Sequence, residues 1–343
     1  MDQYKPETNG NLLRVEDLRT YFAIKKGLLR RTVGFIKAVD GVSLSIKAGG
    51  TLGLVGESGC GKTTVARSII RLVPATAGKV FFEQKEILSI GKKRLRKLRS
   101  DISMIFQDPY GSLNPRMTVA NIVGEPLKVH KGVTGTELSE RIAALLFRVG
   151  LSAEHMNRYP HEFSGGQRQR IGVARALALG PKLVICDEPV SALDVSIQSQ
   201  ILNLLKDLQD EFGLTYLFIA HDLAVVEFAC DVVAVMYMGK IVERASSRQL
   251  YRNPLHPYTR ALMSAIPKLE SASVSEGSAG RGAAGSGQGK RVPQGEVPSV
   301  LHPPSGCPFH PRCPLAKGRC LESMPQLEEK DDGTEHFVAC WKR

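Results

Sequence analysis

What the chain lacks narrows its range first. No stretch of the 343 residues is long and apolar enough to read as a membrane span: the best, 217–239, LFIAHDLAVVEFACDVVAVMYMG, is interrupted by His221, Asp222, Glu227 and Asp231. The start, MDQYKPETNG, is polar and lacks the apolar stretch of a signal peptide, so the seven cysteines are expected in a reducing compartment. If the protein works at a membrane, another chain holds it there. Aromatic residues make up only 6%, and Phe35 alone falls within the basic runs, which weakens the case for single-stranded nucleic acid. Acidic residues number 34 against 46 basic, and a net charge of +12 suits nucleic acid, an anionic membrane surface or solubility alone. The base is concentrated in Lys25–Lys37 and in KKRLRKLR, Lys92 to Arg99, where Leu95 and Leu98 mark a helix with a solvated basic face. Lipid headgroups are the alternative partner of that face.

The feature that organises the rest is TLGLVGESGCGKTT, residues 51–64. TLGLV reads as a buried strand, and GESGCGKT fills every fixed position of the phosphate-binding pattern G-x-x-x-x-G-K-[ST]. Gly56, Gly59 and Gly61 free the backbone, with Glu57, Ser58 and Cys60 between them, to turn successive N–H groups toward phosphate oxygens. Lys62 supplies a mobile cation, Thr63 a hydroxyl suited to Mg²⁺, and the helix opening at Lys62-Thr63-Thr64 points its positive end at the same anion.

Around this loop the sequence alternates in kind. Residues 11–50 have the apolar–polar alternation of antiparallel strands, with Tyr21 either a core ring or a flat partner for a base. A strand over Ile102–Phe106 ends at Gln107-Asp108-Pro109, which puts Gln107 where a buried strand opens into a loop. Residues 110–180 carry helical periodicity and no convincing strand, an all-helical insertion. Inside it, Ser164 caps a helix that begins Gly165-Gly166-Gln167; two glycines there are costly unless something approaches the backbone, which suggests a second anion site. KLVICDEP is a strand closing on Asp187, a candidate Mg²⁺ ligand through water, and Glu188, which could polarise an attacking water. Asp194 ends the link SALD into another helix, and TYLFIAH brings His221 to the sheet edge where the loop and the acids emerge.

Taken together, GESGCGKTT, Gln107, FSGGQ, VICDEP, SALD and His221 resemble an ATP-binding cassette (ABC) ATPase over residues 11–265. The resemblance implies an α/β fold: a P-loop NTPase of ABC type with an antiparallel β-subdomain and a helical subdomain at about 110–180. It implies two such domains paired head to tail around two ATP molecules, with Ser164–Gln167 of each facing the other's phosphate loop. On that pattern Glu188 is the catalytic base, Gln107 and Asp187 serve Mg²⁺ and water, His221 holds the γ-phosphate, Tyr21 stacks on adenine and Asp194 links the two sites. QDPYGSLNPR, NPLHPYT and the tail EVPSVLHPPSGCPFHPRCP are similar to ATPase subunits of dipeptide and oligopeptide importers, of the OppF/DppF-like type. That narrower likeness implies a heterodimer with a second homologous ATPase, two membrane permease subunits, an extracytoplasmic peptide-binding protein, no nucleic acid, and a peripheral location on the cytoplasmic face of the membrane. Import of nickel or another small solute, a soluble ABC ATPase acting on DNA or ribosomes, and a redox-sensing regulator remain as alternatives.

Residues 271–291 are dominated by Gly, Ser and Ala and read as a flexible linker; 292–343 form a small Cys-rich C-terminal region stiffened by proline. Its Cys307, Cys313, Cys320 and Cys340 are spaced C-x5-C-x6-C-x19-C. In a reducing compartment the reading is metal: a 4Fe-4S cluster in preference to Zn²⁺, because the close CxxC pairs of structural zinc sites are absent, with unligated thiols the lesser outcome. His302, His310 and His336 are read as surface residues, with a substitute-ligand role as the alternative, and Cys60, Cys186 and Cys230 as small buried ones or loop fillers.

Overall fold

The structure is a computed structural model that describes residues 4, 10–27, 30–265, 298–299, 301, 303–330 and 333–342. The 271–291 linker and His302 lie outside the described residues.

Two sheets carry the fold. In the larger, Ile102–Ile105, Leu183–Asp187, Thr215–Ala220, Thr51–Val55 and Val232–Tyr237 lie side by side in that order, all parallel. Lys240–Ser246 then turns back antiparallel, followed by Phe337–Val338 and Glu328–Glu329 at the edge. The parallel strands are apolar on both sides because both faces are covered. Leu52, Leu54, Ile185 and Ile219 face one core with Leu13, Val15 and Val42, while Val55, Cys186, Phe218 and Val235 face the other with Ile171, Ile201 and Val226.

The second sheet is antiparallel, in the order Arg31–Lys47, Asn11–Lys26, Ala77–Phe82, Lys85–Glu86. Its long first hairpin matches the alternation read in 11–50. Between residues 109 and 180 the chain forms helices Pro109–Ser112, Val119–Pro126, Gly135–Arg148 and Gly165–Leu177 with short π and 3-10 turns and no strand. The basic run Lys92–Leu98 is a helix whose Leu95 is buried. Within 217–239 the chain forms two strands around the helix Leu223–Ala229, and among the described residues no helix is long and apolar enough to cross a membrane.

In the tail, Phe337–Val338 pairs with Lys240–Ser246, and Glu328–Glu329 pairs with Phe337–Val338. His336 departs from its reading as a surface residue: it is 6% exposed, with Nε2 2.8 Å from Glu243 Oε1, a buried pair.

His256 sets a pH limit on this packing. Its Nδ1 accepts the Tyr258 N–H at 3.0 Å at the start of Pro257–Ser264, and burial lowers its pKa from 6.5 to about 4. Between those values the unfolded chain takes up a proton that the native chain refuses. Native stability is therefore full above pH 6.5 and falls toward pH 4, by about 3 kcal/mol in all. Urea unfolding midpoints measured across pH 4–7 should show this slope, and His256→Asn, which keeps a capping acceptor, should flatten it.

Candidate active site

Four neighbouring parallel strands end at one rim, and each delivers one part of the site. Thr51–Val55 leads into the phosphate loop, Ile102–Ile105 to Gln107, Leu183–Asp187 to Asp187 and Glu188, and Thr215–Ala220 to His221.

The phosphate loop needs its glycines. Gly56 has φ 153° and Gly61 φ 108°, and a Cβ would come within 2.2 Å of Met236 O at the first and 2.1 Å of Ala38 O at the second. Lys62 is buried, its Nζ donating to Gly56 O at 2.7 Å and Glu57 O at 3.0 Å, which arches the chain around its own cation. Ser58 and Gly59 are exposed, Thr64 is half-buried, and a cavity of about 470 Å³ runs along Glu57–Cys60. Burial pushes the Cys60 thiol up, against the pull of Lys62, so it stays a neutral filler beneath the loop.

Thr63 Oγ1 donates to Asp187 Oδ1 at 2.8 Å, tying the loop's helix to the acidic strand. Burial raises the Asp187 carboxyl above its usual range, with Thr63 and Arg67 opposing. Its Oδ2 is buried and has no hydrogen-bond partner. A buried carboxylate oxygen with a hydroxyl beside it and no donor of its own fits a divalent cation.

Glu188 stands next to it at φ 47°, a left-handed backbone held by Glu188 N–H donating to Ile219 O at 2.9 Å. Its Oε2 accepts Gln107 Nε2–H at 2.9 Å and lies 3.0 Å from His221 Nδ1. Residues 33 and 81 positions away in the chain thus meet Glu188 on one carboxylate oxygen of a side chain that is only 12% exposed.

Tyr21 donates its hydroxyl to Asp40, which is paired with Lys240 at 2.9 Å. Asp40 N–H donates to Gly239 O and Gly239 N–H to Cys60 O, so the ring is joined to the phosphate loop by a short relay that the sequence reading missed.

Ser164 caps Gly165–Leu177 reciprocally: its Oγ accepts Gln167 N–H at 3.3 Å and Gln167 Oε1 accepts Ser164 N–H at 3.1 Å. Among the described residues no hydrogen bond or ion pair joins Ser164–Gln167 to the chain's own phosphate loop. Gly166 has a reason inside the fold, since a Cβ there would come within 2.6 Å of Ile197 Cγ2, whereas Gly165 would only touch Leu193. Asp194 is exposed before helix Val195–Phe212 and accepts from Ile197 and Gln198 through its carbonyl.

The comparisons with known proteins fall on this geometry. The ABC transporter family model matches residues 39–191, and the model described as "Oligopeptide/dipeptide transporter, C-terminal region" matches 242–320. The oligopeptide transport ATP-binding protein AppF of Bacillus subtilis is 52% identical over 330 residues, 96% of each chain. The chain belongs to the ABC transporter ATP-binding proteins of oligopeptide transport. A second such ATP-binding protein, OppF of Escherichia coli, is 51% identical over 338 residues, again 96% of each chain. Among solved structures, the ATP-binding cassette MJ0796, described as dimeric in a post-hydrolysis state with ADP and Pi, is 30% identical with TM-score 0.61, covering 69% of this chain and 99% of that one. The fold is thus that of an ABC nucleotide-binding domain.

Membership corrects one expectation for this ABC protein. Cys307, Cys313, Cys320 and Cys340 line one space of about 10 Å³ with Phe309 and Trp341. Among the described residues no group of three or more His, Cys, Asp or Glu side chains could hold a metal ion, and the relatives are described as ATP-binding proteins with no cluster named. The 4Fe-4S reading, and the zinc alternative with it, is withdrawn. The thiols are accounted for by burial, which pushes Cys307 up to about 11 and raises Cys313 and Cys340, so they pack as small neutral side chains.

Two side chains at the phosphate loop were not singled out from the sequence. Tyr258 Oη accepts the Glu57 N–H at 2.9 Å, and Arg312 forks onto Glu57, Nη1 to Oε2 at 2.9 Å and Nη2 to Oε1 at 3.1 Å. Both lie in segments noted only for family likeness, NPLHPYT and CPFHPRCP.

Proposed function

We propose that this chain is the ATP-hydrolysing subunit of an oligopeptide importer. The observation that carries the chemistry is the meeting of Gln107 and His221 on Glu188 beside the Thr63–Asp187 pair. Glu188 takes the proton of the attacking water; Gln107 positions that water and, with His221, the reacting end of the nucleotide. Backbone N–H groups of Ser58, Gly59 and Gly61, with Lys62, Thr63 and Thr64, hold the phosphates on a loop whose Glu57 and Cys60 N–H groups donate to Tyr258 Oη and Glu57 O, and Tyr21 offers its ring to adenine. Mg²⁺, held by Thr63, Asp187 and Gln107, would neutralise charge on the phosphate oxygens. ATP loses its γ-phosphate to water, giving ADP and inorganic phosphate.

Ser164–Gln167 completes the site of a partner cassette and Asp194 links the two. The reading is supported by the lack of a bond to the chain's own loop among the described residues and by the dimeric cassette it resembles. A homologous second ATPase makes the pair a heterodimer. The cassette spans 11–265 with 110–180 as its helical part, followed by the linker and the C-terminal region 292–343. Two permease subunits hold the pair at the cytoplasmic face of the membrane, with an extracytoplasmic peptide-binding protein delivering cargo; the relatives' role in oligopeptide transport supports this.

The test is uptake of a labelled oligopeptide by cells whose only copy of this chain carries Lys62→Ala. Removing the buried cation should weaken ATP binding by roughly 10- to 100-fold and reduce peptide uptake to background, with free amino acid uptake unchanged. Peptide uptake at the unaltered rate would sink the proposal.

A further inference from the structure

A carboxylate inside a phosphate loop is an electrostatic contradiction, because Glu57 carries the same sign of charge as the substrate the loop must hold. The fold resolves it from outside the cassette. Arg312, 255 positions away, closes a two-bond fork on both Glu57 oxygens, and its own side chain is only 8% exposed. The same loop residue is held through its backbone, with Glu57 N–H donating to Tyr258 Oη at 2.9 Å. Tyr258, Tyr237 and Phe309 form one ring cluster, with centroids 4.6–5.4 Å apart, and Phe309 precedes Arg312 by three residues. The segment bearing Arg312 is thus anchored on the cassette by buried rings and places one cation on one loop carboxylate.

We infer that Arg312 is a positioning residue for the nucleotide site: it neutralises Glu57 and turns that carboxylate away from the phosphates, so nucleotide affinity depends on the C-terminal segment. A bidentate guanidinium–carboxylate pair fixes direction as well as charge, which a lysine would not do. Without Arg312 the carboxylate stays in the loop unneutralised, repels the nucleotide and leaves the Gly56–Gly61 arch without its outer support.

This rests on the nucleotide-site reading above. The test separates the two with MgADP binding to the full-length chain, measured by calorimetry on variants with native circular dichroism. Arg312→Met should weaken MgADP about tenfold, and adding Glu57→Gln to that variant should restore affinity to within about twofold of the unaltered chain. A purely structural loss would not be repaired by deleting a second polar charge. Arg312→Gln carries the same comparison should the methionine variant fail to fold. A folded Arg312→Met chain that binds MgADP as the unaltered chain does overturns the inference, as does a double variant no tighter than the single one. If Lys62→Ala also binds like the unaltered chain, the nucleotide site itself has been misassigned.

Discussion

Glu188→Gln should lower ATP hydrolysis by about 10²- to 10⁴-fold and leave nucleotide binding nearly unchanged. The substitution conserves shape, and glutamine can still accept the Gln107 Nε2–H and meet His221 Nδ1 through one oxygen. The backbone at φ 47° is held by Ile219 O and by Ser191, whose N–H and hydroxyl both donate to Glu188 O, and none of these bonds involves the side chain. What disappears is the basic oxygen alone. Phosphate release measured with the partner subunits present should therefore collapse, while ATP and Mg²⁺ accumulate in a closed pair. Phosphate release at the unaltered rate would move the base elsewhere. His221→Ala should give a smaller loss than Glu188→Gln, because it removes a neighbour of the base and not the base.

The sequence was informative where function depends on residues close together in the chain. A strand, a glycine-rich loop and a helix start within residues 51–69, and the anion site they form follows from backbone freedom and the helix dipole at consecutive positions. Asp187 and Glu188 were legible for the same reason, as two acids at the end of an apolar strand. The convergence of Gln107, Glu188 and His221 needed one further rule, that ligands gather at the carboxyl ends of parallel strands. Contacts made across the fold left no such trace. Tyr258 and Arg312 reach Glu57 over 201 and 255 positions, and nothing in the local pattern of either segment points to a phosphate loop.

Packing against distant residues stays hidden in the same way. Gly166 is read as a place of ligand approach because a glycine near a helix start has a cost, and Ile197 of a neighbouring helix, in the space a Cβ would need, is a second reason that the local sequence does not display. Phe337–Val338 and Glu328–Glu329 are two residues each, too short for any alternation to register, and they exist because Lys240–Ser246 offers an edge. The four tail cysteines were read through their number and the expected compartment, while the side chains that surround them, Phe309 and Trp341, come from packing that spacing does not encode.

Glu243→Ala should be the most damaging single change to stability outside the nucleotide site, at about 3–5 kcal/mol. Glu243 is 0% exposed and serves three donors at once. Its Oε1 accepts Leu255 N–H at 2.7 Å and meets His336 Nε2 at 2.8 Å, and its Oε2 accepts His256 N–H at 2.9 Å. Truncation leaves two buried N–H groups and one buried imidazole without a partner, each costing about 1–3 kcal/mol, and opens a cavity among them. Two consequences should be separable. Urea unfolding should shift to a lower midpoint, and hydrogen exchange should rise first at Phe337–Val338, whose pairing with Glu243 and Arg244 is next to the lost carboxylate. Glu243→Gln, which fills the space but keeps one acceptor oxygen where the carboxylate offers two, and so turns an NH2 toward one donor, should cost less than alanine and still lower the midpoint. A shift in the alanine variant equivalent to under about 1 kcal/mol would mean that water or a neighbouring acceptor replaces the carboxylate, and that the C-terminal strands do not depend on it.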